Sequence, residues 1–173
     1  MAHYVLPPGR SGAGPLDLAL RVGTTDDYAA VRDLHRRCSA ASRALRYHCG
    51  TPELRPRIWQ QLSDPRAGCT LLVSLTVPPH HTVAVGHLLG TNTPGSAELA
   101  LLVEDRWQSR GIGTALADCL FDLARSIGVH SVSFVSGAGN CRAQRIARHL
   151  AARAADTART ADAPRAAVTL ALA

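Results

Sequence analysis

The chain of 173 residues contains no lysine, so all nineteen of its basic side chains are arginine. Together with the abundant alanine, this reads as compositional bias rather than a patch built for a partner. The formal charge of +6 therefore does not argue for nucleic acid, although it favours anionic ligands at long range. Long apolar runs are also missing. Segments such as "ELALLV" and "VTLALA" fall far short of the roughly 20 residues a spanning helix needs, and no membrane partner is expected. The five cysteines, Cys38, Cys49, Cys69, Cys119 and Cys141, include no C-x-x-C pair. The histidines cluster only in "PHHT" and "YHC", without metal-ligand spacing, so no metal is expected and the cysteines read as small packing residues. Residues 1–15 lack both the basic start and the apolar stretch of a secretion signal. They read as a disordered leader to one domain over 16–173, in a cytoplasmic protein.

Periodicity supplies the elements. Alternation in "LDLALRV" puts Leu16, Leu18, Leu20 and Val22 on one face of a strand. A helix follows, with Thr24 or Thr25 as N-cap and Tyr28, Val31, Leu34 and Cys38 at helical spacing. One or two short helices come next, the second carrying Leu54, Ile58 and Leu62. "TLLVSLTV", "TVAVGHLLGT" and "SAELALLV" are three strands with tight connections, hence an antiparallel meander. Ile112, Leu116, Leu120, Leu123 and Ile127 then form a helical stripe closed by Gly128. The strand "HSVSFVS", a helix over "GNCRAQRIARHLAARA" and a last strand in "RAAVTLALA" complete a β-α-α-β-β-β-α-β-α-β order of the mixed α/β class.

"VEDRWQSRGIGTAL" interrupts this regular pattern by placing two glycines between a strand and a helix. A helix starting there turns its first N–H groups and its positive dipole end outward, which makes an anion site. Gly111 and Gly113 let a phosphate approach the backbone, while Gln108 and Arg110 can add side-chain donors. The spacing matches neither G-x-x-x-x-G-K-S/T nor a three-glycine dinucleotide fingerprint.

"ELALLVEDRWQSRGIGTAL" resembles the acyl-CoA-binding signature of the GNAT-type N-acetyltransferases, Q/R-x-x-G-x-G/A, with Gln108, Gly111 and Gly113 in its fixed positions. The order of elements over roughly residues 16–154 is similar too, and Asn140 matches an Asn of that family at the exit of its fifth strand. The resemblance implies a mixed, mostly antiparallel central sheet with a splayed strand pair and helices on both faces. It implies acetyl-CoA as cosubstrate and an amine acceptor, small molecule or protein lysine, with some similarity to the protein-lysine subgroup; a homodimer stays open. Backbone groups at Leu101 and Val103, beside Leu102, would pair with the pantetheine amides, and Asn140 would contact the same arm. Main-chain N–H groups across Gln108, Ser109, Arg110, Gly111, Ile112, Gly113 and Thr114 would hold the pyrophosphate.

Acetyl transfer needs a neutral amine and therefore a base to take its proton. Glu98, one of three glutamates, interrupts an apolar strand where a charge is costly unless it faces a polar cleft. The alternative is a strand-edge residue bonded to Arg106, Arg46 or another arginine. Two departures from the family stand out. The position of a Tyr that protonates the departing thiolate is Ala147, and one strand rather than two follows the last helix. Cys141, the nearest replacement acid, reads as a packing residue. These departures motivate a second hypothesis, a module that binds acyl-CoA without turnover. A third, a nucleic-acid binder, would use Arg142, Arg145, Arg148 or His149, and Arg153 along one helix side.

Overall fold

A computed structural model of the protein describes residues 2–6, 16–47, 53–136, 139–159 and 167–172. Strands β1 (Ala2–Leu6) and β2 (Leu16–Val22) lead into helices α1 (Tyr28–Arg37), α2 (Ala40–Tyr47) and α3 (Pro56–Leu62). The meander β3 (Gly68–Leu75), β4 (Thr82–Gly90) and β5 (Ser96–Val103) follows. Helix α4 (Ile112–Ser126), strand β6 (Ser131–Ser136), helix α5 (Cys141–Arg159) and strand β7 (Ala167–Leu172) close the chain. The seven strands form one sheet in sequence order, antiparallel from β1 to β5 and parallel from β5 to β7.

One discontinuity in this sheet positions the site. β5 and β6 pair only at Ser96 with Ser131, Ala97 with Val132 and Glu98 with Ser133. Beyond Glu98, β5 continues to Val103 on β4, while β6 continues to Ser136 on β7. The two strands splay from that point.

Both faces of the sheet are covered. On one, Ile112, Leu116, Leu120 and Phe121 of α4 and Ala147 and Leu150 of α5 pack on Val73, Leu88, Leu99 and Val132. On the other, Val31, Leu34 and Cys38 meet Trp59, Leu72, Val85 and Leu102. Successive strand side chains alternate between these layers, so Leu99 and Leu102 serve different cores. Among the described residues, no helix is long and apolar enough to cross a membrane.

Several expectations are corrected. Part of the segment read as a disordered leader is strand β1, because "HYV" has β-forming side chains and the edge of β2 is open to pair with them; the rest of that segment lies outside the described residues. The second helical region forms two short helices, within the expectation, but in α3 the core anchor is Trp59, 1 % exposed, while Ile58 is exposed and Leu54 precedes the helix. Val22 and Ile127, assigned to apolar stripes, are exposed because each sits at the end of its element, past the covering layer. Cys141 is exposed at the start of α5 rather than packed; Cys49 lies outside the described residues.

Candidate active site

Buried polar contacts shape the loop between β5 and α4 before any ligand arrives. Glu104, 3 % exposed, receives Arg37 Nε at 2.8 Å and Arg106 Nε at 2.5 Å, with His81 Nε2 at 3.3 Å. Arg37 also donates to Thr82 O at 2.6 Å, so α1, β4 and the loop meet at one carboxylate. Asp105 accepts from Ser39 N at 2.7 Å and from the hydroxyls of Ser39 and Ser42 at 2.8 Å, which ties α2 to the same loop. Gln108 Nε2 donates to Val103 O at 2.8 Å and to Ser42 Oγ at 3.1 Å. The side chain expected beside a phosphate therefore spends its amide donors on holding the loop.

The loop turns through left-handed backbone at Ser109 (φ 60°) and Gly111 (φ 87°), and Gly111 is the N-cap of α4. The first bond of that helix runs from Ala115 N to Gly111 O at 2.9 Å, so the amides of Ile112, Gly113 and Thr114 have no acceptor earlier in the helix. A Cβ on Gly111 would meet nothing within 4 Å; one on Gly113 would lie 3.4 Å from Ile146 Cδ1. Packing does not demand either glycine. The sign of φ favours glycine at 111, and open space in front of the helix end remains for an anion.

The splay supplies the rest. Glu104 N donates to Val83 O at 2.9 Å, so even-numbered residues of β5 point their N–H groups toward β4. Odd-numbered ones point away, as the Val103 carbonyl does toward Gln108. Past Glu98 no strand among the described residues covers that edge, which leaves the N–H and C=O of Leu101 open to an extended ligand, while the Val103 carbonyl is already engaged.

A cleft of about 370 Å³ runs along this edge, between α2, the loop and α5. Glu98, Leu101, Leu102, Val103, Gln108, Ser109, Gly111, Gly113, Thr114 and Asn140 all line it, so most of the predicted site residues are brought together. Two are not. Ile112 turns its side chain into the core at 2 % exposure, and the Arg110 guanidinium stacks 4.9 Å over the Trp107 ring. Asn140 Oδ1 accepts the Ala143 N–H at 3.1 Å, capping α5 beside the cleft. Phe134, Leu45 and Arg46 add to the walls.

Glu98 shares a face with Ala100 and Leu102, on the α2 side of the sheet. None of the ion pairs among the described residues includes it; of the alternative partners, Arg106 is bound to Glu104, and neither Arg46 nor any other described arginine forms an ion pair with Glu98. Sequence reasoning missed the latch between Ser39, Ser42 and Asp105, because no local pattern links residues 66 positions apart. Of the α5 side chains assigned to one helix side, Arg142, Arg145 and His149 are exposed and also line the cleft, and Arg153 is paired with Asp118 and Asp122.

The sequence profile of the Acetyltransferase (GNAT) family matches residues 28–149, more than half of the chain. The chain belongs to that family. As a GNAT N-acetyltransferase it draws on the cosubstrate of its family, acetyl-CoA, and on an amine acceptor. The acetyltransferase is similar in fold to the GNAT domain of S. lividans PAT, with 20 % identity, a TM-score of 0.69, and coverage of 86 % of this chain and 85 % of that one. It is also similar to the ribosomal-protein-S18-alanine N-acetyltransferase from Escherichia coli (17 % identity, TM-score 0.60, 77 % and 76 % covered). The ribosomal-protein-alanine N-acetyltransferase from Brucella melitensis is a third likeness (22 % identity, TM-score 0.61, 76 % and 82 % covered). No curated protein matches the sequence. The splayed β5 edge and the glycine-bearing helix start fit an extended thioester carrying a pyrophosphate.

Proposed function

We propose that this acetyltransferase moves an acetyl group directly from acetyl-CoA to an amine, with Glu98 as the general base. The observation that carries the reading is the position of Glu98: in the cleft, where β5 leaves β6, without an ion-pair partner among the described residues. The open edge at Leu101 would align the pantetheine arm, and the amides at the start of α4 would hold the pyrophosphate. Glu98 takes the proton of the acceptor ammonium, directly or through a water. The freed amine then forms the N–C bond at the thioester carbon, the C–S bond breaks, and the second proton on nitrogen passes to the departing thiolate, directly or through water, leaving the neutral amide and the coenzyme A thiol. A thiolate leaving group of pKa roughly 8.5 departs without strong acid help. Glu98→Gln is expected to slow release of coenzyme A by about 10²- to 10⁴-fold while acetyl-CoA still raises the unfolding midpoint. Equal rates in the variant and the wild type would remove Glu98 from the chemistry.

One observation favours a second reading, an acyl-CoA-binding module without turnover. Ala147, at the place of the family's acid Tyr, is 4 % exposed and packed in the core, and Cys141 does not line the cleft. Under that reading acetyl-CoA stabilises the protein but no amine releases coenzyme A.

A further inference from the structure

Arg46 lines the same cleft as Glu98 and has no task in the chemistry above. It stands one residue before the end of α2 and lies over the Tyr47 ring at 4.7 Å. Its Nε is buried without a hydrogen-bond partner. Other described side chains share that condition, namely Arg32, His35, Arg43, Trp107 and Arg125, but none of them lines the cleft. The acids on the adjoining loop are already engaged, Glu104 by Arg37 and Arg106 and Asp105 by Ser39 and Ser42. Burial lowers the pKa of the Arg46 guanidinium, and the neighbouring Tyr47 and Glu98 oppose that shift. Glu98 is thus close enough to be felt electrostatically, yet no ion pair joins the two.

A guanidinium whose Nε is buried without a partner is stabilised when an anion meets it, and a planar carboxylate meets it best. Arg142, Arg145 and His149 line the α5 side of the cleft, whereas on its α2 side one cation, Arg46, and one anion, Glu98, face it with no ion pair between them. That is the complement of a zwitterion. We propose that the acceptor is a zwitterionic amine of the amino-acid type, whose carboxylate pairs with Arg46 while its ammonium is drawn to Glu98. The inference rests on the transferase reading for its chemistry and adds the substrate class. A protein lysine side chain, whose amine carries no adjacent anion, would leave Arg46 unmatched.

The test offers free amino acids, each beside its carboxamide, and a blocked peptide with one internal lysine, to the full chain with acetyl-CoA. Free amino acids are expected to give kcat/KM about 10- to 100-fold above their amides, the range of one charge-assisted contact. Arg46→Gln should collapse that ratio toward one, and Arg46→Lys should keep part of it. An unchanged midpoint rise with acetyl-CoA in both variants would show that the cofactor site survives. Equal use of acid and amide, an equal loss on both in Arg46→Gln, or turnover of the lysine peptide alone would overturn the inference while leaving the transferase intact. Calorimetric binding of the amino acids, and not the amides, to the acetyl-CoA complex without turnover would support Arg46 recognition and overturn the transferase reading. Neither binding nor turnover would overturn both.

Discussion

Alanine at Gly111 and at Gly113 should have different consequences for stability, although both glycines belong to one motif. Gly111 sits at φ 87°, and a Cβ there meets no atom within 4 Å, so its cost is backbone strain alone, about 1 kcal/mol. Gly113 lies in the first turn of α4, and its Cβ would touch Ile146 Cδ1 at 3.4 Å, a contact the core accepts. There the gain in helix propensity, at most about 1 kcal/mol, offsets the fit. With roughly 2–4 °C per kcal/mol for a chain of this size, Gly111→Ala is expected to lower the unfolding midpoint by about 3 °C and Gly113→Ala to leave it level or raise it. Thermal unfolding without ligand reads this directly. Repeating it with acetyl-CoA at about a hundred times its Kd should add roughly 2.7 kcal/mol to the wild type. Gly111→Asp and Gly113→Asp should lose that increment by placing a carboxylate where a phosphate belongs. A Gly113→Ala loss as large as that of Gly111→Ala would refute the backbone argument. Full stabilisation of both Asp variants by acetyl-CoA would refute the phosphate site.

Other perturbations test the supports of the site. Glu104→Gln removes the charge at which Arg37 and Arg106 meet; because both arginines are partly exposed, the expected cost is about 2 kcal/mol, measured as denaturant midpoint at constant slope. Trp59→Ala empties the centre of the α1–α3 layer and should cost roughly 3–5 kcal/mol, whereas Ile58→Ala on the exposed side should cost far less. Burial, with Arg46 nearby for one and Arg43 and Arg46 for the other, holds His87 at about 3 and His35 at about 4. Both are neutral in the folded chain and take protons on unfolding below roughly pH 6.5. Stability should therefore be full above that pH and fall as pH drops toward 4, and His87→Gln should flatten the slope of midpoint against pH. A slope unchanged by the variant would show that other groups carry the acid sensitivity.

The motif and the order of elements were legible in the sequence because they are local. Period-two alternation, a 3.6-residue stripe and a strand, glycines and helix start in immediate succession all lie within windows of ten to twenty residues. Glu98, Gln108 and the 111 and 113 glycines could be placed in one cleft because they share a strand, its loop and the next helix. Other features depend on which distant segments meet, and no local pattern carries that. The strand at Ala2–Leu6 exists through its pairing with β2. Gln108 faces inward because Val103 O and Ser42 Oγ lie within its reach, and Arg110 leaves the cleft for the Trp107 ring. Ile127 and Val22 repeat the apolar period but lie past the covering layers. From the sequence Arg46 was one of several possible neighbours of Glu98; the tertiary structure put both in one cleft, because helix–sheet packing decides which charges share a cleft and which are neutralised outside it.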